Sequence, residues 1–434
     1  MACRSSRVFP RTAARLVLTA VIGLALAVGP AASGGDVVAQ PTRSSAPDPS
    51  VITDWNAVAT ATIVTDARRV IPEPVIWQAF VHLAMYNAVV GIEGGYVPYR
   101  WRACGPRGAS SVAAAAAAAH RVLSVYFPGS RPRLEKAYAA SLAAVPEGPA
   151  KEQGVRFGVR AADHVIALRE DDGRSAPVEF TRPPAPGVWR PTPPGHLPFK
   201  SAWTGRLRPL LLTSPRQFRP GPPPGLTSGR YAEDLAEVKA YGERNSTRRS
   251  PSQTETALFF AGEVGVQEGL RDHGVRHGFG ITETARLFAA VNAVAADAVI
   301  TTWDSKLHYG SWRPVTAIHL ADTDGNPATQ PDPQWQALID TPPHPDYLSG
   351  HATVGGAVMR TLTELFGSPR VDLRLTSAAT GVMRHYAYAD QYNRDVVDSR
   401  VWAGVHTRTA DRVGNDVGGR LAAWALQRNF RPAS

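Results

Sequence analysis

The sequence predicts an all-α protein, and three observations support this prediction. Apolar residues recur at mixed steps of three and four residues in most of the chain, which is the period of a helix. Signals for strands are weak throughout the sequence. Of the 434 residues, 44% are hydrophobic and 19% are charged, a balance that excludes a disordered chain and allows a sizeable core. We therefore expect a bundle of helices around a common core.

The helical period also places the elements in order along the chain. In the first clear segment, Ile76, Phe80 and Leu83 follow one another at helical spacing. Further along, Ser349 is a good N-cap for a helix that continues through Val354 and Val358. The pattern predicts helices at residues 74–92, 112–126, 133–144, 151–168, 229–241, 254–261, 283–307, 352–366, 371–388 and 410–427.

Residues 183–228 interrupt this helical pattern. The segment is rich in proline and glycine, and proline removes the backbone donor that a helix interior needs. Trp189, Trp203 and Phe218 are interleaved with the prolines, which is too aromatic for a flexible linker. We predict an ordered loop that wraps the surface and is held by its aromatic side chains. A boundary between two subdomains is the alternative.

The N-terminus has the pattern of an export signal. Four arginines precede the apolar run 16–28, and small residues follow at 31–33 and at Ala39. We predict a signal peptide at 1–39 and a secreted or periplasmic protein, with an uncleaved anchor as the alternative. The predicted organisation continues with an N-terminal helical region at 40–182, the loop at 183–228 and a site-bearing helical region at 229–434. No transmembrane helix is expected after the signal.

The chemistry-bearing residues lie in three segments of the last third of the chain. The segments begin at Lys306, Ser349 and Ser399, and together they supply three cations, two histidines and a Ser-Gly pair that opens a helix. The N–H groups at a helix N-terminus are unpaired and attract negative charge. Arginine binds the oxygens of an anion with planar, often bidentate geometry. The combination therefore predicts a site for a tetrahedral oxyanion.

The order and spacing of these segments carry a resemblance to a known superfamily. The pattern is Lys, six residues, Arg-Pro, then Ser-Gly-His, then Ser-Arg, five residues, His, within residues 303–411. It resembles the signature of the superfamily that joins type 2 phosphatidic acid phosphatases with vanadium-dependent haloperoxidases. Residues 77–99 and the Trp189-Arg-Pro-Thr-Pro-Pro stretch are more loosely similar to secreted bacterial members on the haloperoxidase side. The resemblance implies an all-helical bundle that binds vanadate or phosphate.

The resemblance also implies a role for each matching residue. Five residues would bind the outer oxygens of the oxyanion: Lys306, Arg313, Ser349, Gly350 through its N–H, and Arg400. His406 would bond the central atom, as the vanadium ligand of a haloperoxidase or as the nucleophile of a phosphatase that forms a phosphohistidine. His351 would act as the acid or base on the opposite face.

The sequence departs from the superfamily pattern at two positions. Leu348 stands where a proline commonly precedes the Ser-Gly-His. An aspartate commonly follows the apical histidine by four residues and orients its ring, but here that position is Ala410 and Asp411 is one further on. One residue turns a helical side chain by about 100°. We predict that Asp411 orients His406, with Asp398 as the alternative.

Two further residues are assigned to the halide side of the site. Trp303 lies three residues before the lysine, and His344 lies seven residues before His351. The resemblance implies oxidation of bromide and iodide rather than chloride when a histidine occupies the position of His344. His344 as an ordinary loop residue is the alternative. His344, His351 and His406 also allow a zinc site, but zinc gives no role to the two arginines and the lysine.

The superfamily leaves a choice between two enzyme activities. About 265 residues separate the signal from the first motif, as in haloperoxidases, whereas small secreted acid phosphatases are shorter. We predict a vanadium-dependent haloperoxidase with a vanadate cofactor, for which phosphate competes, and with hydrogen peroxide and halide as its partners. A secreted acid phosphatase acting on a phosphate ester is the alternative, and a non-enzymatic phosphate-binding protein is the third possibility. No nucleic-acid partner is expected, and the oligomeric state is not predicted.

Overall fold

The computed structural model describes residues 46–433, so the predicted signal peptide at 1–39 lies outside the described residues. The prediction of an all-α fold is confirmed, because 56% of the structure is helix and only 5% is strand. The helices are α1 Ser50–Thr60, α2 Glu73–Glu93, α3 Ser111–Tyr126, α4 Arg131–Ala143, α5 Pro149–Leu168, α6 Gly229–Tyr241, α7 Pro251–Phe259, α8 Val266–Arg276, α9 Ile281–Tyr309, α10 Pro314–His319, α11 Gly350–Phe366, α12 Ala389–Trp402 and α13 Arg408–Leu426.

The helix predicted at 371–388 is wrong. This segment forms an antiparallel hairpin of β1 Arg370–Thr376 and β2 Met383–Tyr388, in which Leu373 pairs with Tyr386. In β1 the buried residues are Val371, Leu373 and Leu375, which alternate with more exposed ones. This period of two is the pattern of a strand with one buried face. The helices α1, α8, α10 and α12 were not predicted from the sequence.

The central element of the fold is α9, which is buried along most of its 29 residues. It contacts α2 of the N-terminal half and α11 of the C-terminal half. Helix α11 also packs closely on α13, where Gly418 faces its backbone. A Cβ atom at Gly418 would lie 2.0 Å from the carbonyl oxygen of Thr353, so only glycine permits this approach. The close contact brings the beginnings of α11 and α13 together at the end of α9.

The proline-rich segment 183–228 is ordered and lies against α9. The buried carboxylate of Asp297 in α9 accepts hydrogen bonds from the backbone N–H groups of Leu210, Leu211 and Leu212, at 2.7, 2.8 and 2.8 Å. Trp189 is buried, and its backbone N–H donates to the carbonyl oxygen of Gly310. These contacts agree with the prediction of a loop held against the body of the protein. The predicted region boundaries stay predictions.

Two helices of the described part are long and apolar enough to cross a membrane, namely Glu73–Glu93 and Ile281–Tyr309. Both are mostly buried inside the protein, which is the behaviour of core helices. The prediction that no membrane span follows the signal stays a prediction.

Candidate active site

Three buried cations converge beyond the end of α9. Lys306 lies in the last turn of α9, and Gly310 then ends the helix in a left-handed conformation with φ 59°. The chain turns back, so that Arg313 lies directly before α10, where Pro314 occupies the first helical turn. Arg400 comes from the last turn of α12. The exposed fractions of these three cationic residues are 0%, 0% and 1%.

The hydrogen bonds of the three cations go mainly to neutral carbonyl groups. The Lys306 ammonium donates to the carbonyl oxygens of Pro345 and Asp346, at 2.5 and 3.0 Å. Nε of Arg313 donates to the carbonyl oxygen of His344 at 2.6 Å. Nη1 of Arg400 donates to the carbonyl oxygen of Phe260 at 2.7 Å. None of these bonds pairs a cation with a carboxylate.

The pKa values of the three cations reflect their burial close to one another. Burial, followed by the charge of Arg313, lowers the pKa of Lys306 well below its usual value, although Asp346 and Asp411 oppose the shift. Burial lowers the pKa of Arg313 to about 9 and that of Arg400 to about 10. A bound anion would relieve this crowding because it favours the charged form of each group.

Two buried donors next to these cations have no hydrogen-bond partner. They are the hydroxyl of Ser349 and Nε of Arg400. Ser349 occupies the predicted N-cap position of α11, but its hydroxyl makes no capping hydrogen bond. A buried polar group without a partner costs about 1–3 kcal/mol, so such groups commonly mark a ligand site. We refer to Lys306, Arg313, Arg400, Ser349 and Gly350 as the cradle.

His406 lies beside the cradle, in the turn between α12 and α13. Its Nδ1 lies 2.6 Å from Oδ1 of Asp346, and both side chains are buried. Nη1 of Arg313 lies 3.1 Å from Nε2 of the same ring. Burial and the three cations of the cradle lower the pKa of His406 well below its usual value. The ring is therefore neutral near pH 7.

The prediction that Asp411 orients His406 is wrong, because Asp346 occupies that position. Both carboxylate oxygens of Asp411 are buried without a hydrogen-bond partner. Burial raises the pKa of Asp411 well above its usual value, and the Ser349 hydroxyl, which lies nearby without a hydrogen bond of ordinary geometry, opposes this shift. Asp398, the alternative, is bound to Arg408 instead. His406 lies in the turn before α13. The spacing of four or five residues along a helix therefore does not apply to it and did not identify its partner.

Asp346 is the functional residue that sequence reasoning missed. It lies three residues before Ser349, in the loop between α10 and α11. Burial raises the pKa of Asp346 to about 6, against the opposing charge of Arg313. Its position beside a Ser-Gly-His motif was a signal, but the sequence did not show which histidine it meets.

The remaining predicted residues also lie at this site. His351 is in the first turn of α11, and burial together with Arg400 and Arg313 lowers its pKa well below the usual value. The ring centroid of His344 lies 5.1 Å from that of Trp303 and 6.4 Å from that of His406. His344 therefore lines the site. Within residues 46–433, no group of three or more His, Cys, Asp or Glu side chains is arranged to hold a metal ion.

Comparison with known proteins points to one family. Residues 286–433 match the family model of the VCPO second helical-bundle domain. The vanadium chloroperoxidase of Curvularia inaequalis is 30% identical over 227 residues, which are 44% of this chain and 35% of that protein. The match thus spans about a third of the length of this curated relative.

Two solved structures share the fold. A bacterial vanadium-dependent iodoperoxidase superposes with a TM-score of 0.73 and 22% identity, covering 89% of this chain and 97% of that one. A holo-type bacterial vanadium-dependent chloroperoxidase superposes with a TM-score of 0.65 and 17% identity, covering 90% and 96%. The C-terminal third of this chain is therefore similar to the second helical-bundle domain of vanadium chloroperoxidases, and the fold is the one that the two solved structures have.

Proposed function

We propose that this protein is a vanadium-dependent haloperoxidase that oxidises bromide and iodide with hydrogen peroxide. Vanadate would be held in the cradle by Lys306, Arg313 and Arg400, by the Ser349 hydroxyl and by the N–H of Gly350. His406 would provide the one protein ligand to the metal. Phosphate, with the same shape and charge, would compete for the cradle.

The observation that carries this proposal is the excess of buried positive charge around unpaired donors. Three cations are buried without an ion pair, and the Ser349 hydroxyl and Arg400 Nε have no partner in the described structure. Asp346 and Asp411 are the two buried carboxylates nearby. Burial raises the pKa of Asp346 to about 6, so it stays ionised near pH 7, and raises that of Asp411 well above its usual value, so one carboxylate faces three cations. A tetrahedral dianion supplies the missing charge and accepts from both donors, so the residues fit vanadate.

When bound, vanadate would supply a Lewis-acidic centre for the two-electron oxidation of halide by peroxide. The cradle cations would bind and neutralise its oxygens, and burial in a water-poor environment would strengthen these interactions. His351 is neutral because its pKa is lowered, so its ring would accept a proton from incoming hydrogen peroxide and return it to a leaving oxygen. Trp303 and His344 would form the wall that the halide approaches.

The halide preference rests on His344. Its Nδ1 lies 3.0 Å from Nη2 of Arg313, so the ring is held at the site by a cradle residue. Chloride is the hardest of the three halides to oxidise, and we expect it to be a poor substrate. His344→Phe should raise the rate with chloride relative to bromide. Identical halide ratios in the variant, or efficient chloride oxidation by the parent protein, would remove His344 from this role.

We also propose that the protein is exported, on the basis of the pattern in residues 1–39. N-terminal sequencing of the protein from its native source should find a start near residue 40. A mature protein that retains the arginines at its N-terminus would contradict export with cleavage.

The decisive experiment loads the purified protein with vanadate and measures peroxide-dependent bromination. The same preparation without vanadate is assayed for phosphate-ester hydrolysis. We expect bromination that requires vanadate, and little hydrolysis. Hydrolysis that vanadate inhibits, with no bromination, would identify an acid phosphatase instead. Tight oxyanion binding with neither activity would leave a phosphate-binding protein.

A further inference from the structure

Asp346 is fixed by a hydrogen bond at every polar group it has. Its Oδ1 pairs with His406 Nδ1 at 2.6 Å, and its Oδ2 accepts from the Thr407 hydroxyl at 2.8 Å. Its backbone carbonyl accepts from Lys306 at 3.0 Å, and its backbone N–H donates to the carbonyl oxygen of Ser311 at 3.0 Å. The carboxylate therefore has one orientation, and that orientation points at His406.

This contact decides which nitrogen of His406 carries the proton. An ionised carboxylate only accepts hydrogen bonds, so Nδ1 must be the protonated nitrogen and Nε2 keeps its lone pair. Nη1 of Arg313 lies beside the ring, 3.1 Å from Nε2 and 3.3 Å from Nδ1, so this contact does not select a nitrogen and the Asp346 contact does. A ring with the proton on Nε2 would have no lone pair at that nitrogen for the oxyanion.

We propose, on the basis of the proposed function, that Asp346 is the positioning residue that holds His406 in the Nδ1-protonated tautomer. Nε2 is thereby free to bond the central atom of the oxyanion. Asp346 acts through His406 and does not touch the oxyanion itself. The superfamily pattern assigns this task to the helix after the histidine, where Asp411 forms no hydrogen bond with His406. In this chain Asp346, in the loop before α11, orients the ring of His406 instead.

A purely structural role for Asp346 makes different predictions. Through Thr407, which also caps α13, the carboxylate ties the loop before α11 to that helix. If this tie were its only role, removing it would weaken vanadate and phosphate equally. Phosphate takes no fifth ligand and needs only the cradle. Positioning of His406 therefore predicts that vanadate affinity falls while phosphate affinity stays the same.

The first test is the ¹⁵N spectrum of the full chain labelled at histidine, with His406→Gln used to assign the ring. In the parent protein we expect a protonated Nδ1 and an unprotonated Nε2. In Asp346→Asn, the side-chain amide donates to Nδ1, and the proton should move to Nε2. A parent spectrum with a protonated Nε2 would overturn the proposal even if the variant fails to fold.

The second test is calorimetric titration of the same proteins with vanadate and with phosphate. Asp346→Asn should bind vanadate about 10 to 100 fold more weakly, the usual cost of losing a group that orients a metal-bound histidine. The matched control, Asp411→Asn, should keep the parent tautomer and the parent vanadate affinity. Loss of vanadate binding in the control but not in Asp346→Asn would overturn the proposal.

The two tests also separate this inference from the proposed function. A parent protein that fails to bind vanadate would contradict the function, while the ring-nitrogen signals would still decide whether Asp346 sets the tautomer of His406.

Discussion

Two buried arginines in different halves of the molecule have opposite surroundings. Arg169, at the end of α5, forms an ion pair with Asp172 at 2.8 Å, and its guanidinium also donates to the carbonyl oxygens of residues 208 and 209. Arg400, in α12, has one carbonyl partner, and its Nε has none. Both are about equally buried, at 2% and 1% exposed. A paired buried charge serves the fold, whereas a buried charge left unpaired among other cations indicates a ligand site.

The largest expected effect concerns the two buried histidines of the site. His406→Ala should abolish vanadate retention, because it removes the one protein ligand that we propose for the metal. His351→Ala should keep the oxyanion and lose turnover. The control is His82→Ala, since His82 is buried but bonded to Asn56 at 2.9 Å, far from the cradle. Vanadate titration of all three variants is the measurement. Retention by His406→Ala with loss in His351→Ala would reverse the two roles.

Removing the paired arginine should act on stability alone. Arg169→Met leaves the buried Asp172 with only Arg174 as its partner, at 2.9 Å. We expect the free energy of unfolding to fall by about 3 kcal/mol, the lower end for breaking a buried ion pair, because Arg174 remains. Phosphate affinity should not change. Denaturant unfolding and phosphate titration of the variant check both statements. A change in phosphate affinity would contradict the claim that Arg169 serves only the fold.

Removing the unpaired arginine should act on binding alone. Arg400→Met replaces a buried charge by an apolar side chain of similar length. We expect phosphate binding to weaken about 10 to 100 fold, from the loss of charged hydrogen bonds worth about 1.5–3 kcal/mol. The stability of the ligand-free protein should stay the same or rise, since an uncompensated charge has been removed from the interior. A marked loss of stability with unchanged phosphate affinity would assign Arg400 to the fold.

The smallest expected effect is a pH dependence of anion affinity. Burial and the charge of Arg313 lower the pKa of Lys306, and burial lowers the pKa of Arg313 to about 9. A bound anion raises both pKa values, so binding takes up protons between the lowered pKa and the usual one. Phosphate affinity should therefore fall as the pH rises from 8 to 10, where phosphate itself remains a dianion. Calorimetry in buffers of different ionisation enthalpy detects the proton uptake, and an affinity that rises with pH would contradict this prediction.

The sequence allowed the cradle residues to be grouped because they lie at element ends that local rules define, and the structure places them close together; their role in binding stays a prediction. Proline places Arg313 outside a helix, and the Ser-Gly pair marks the start of α11. The partner of His406 was not predictable in this way. Asp346 reaches the ring because the loop before α11 folds against the turn between α12 and α13, and such a contact depends on the tertiary structure. Likewise, the prediction of a helix at 371–388 did not take into account that the apolar residues Val371, Leu373 and Leu375 alternate with polar ones, which is the pattern of a strand.

The central claim is that the buried cations form one oxyanion site per chain, shared by vanadate and phosphate. The most direct measurement is calorimetric titration of the purified protein with vanadate, in the absence and in the presence of millimolar phosphate. We predict one vanadate per chain and an apparent affinity that falls as phosphate is added. Vanadate binding that millimolar phosphate leaves unchanged, or that persists when Lys306, Arg313 and Arg400 are all replaced by methionine, would contradict the claim.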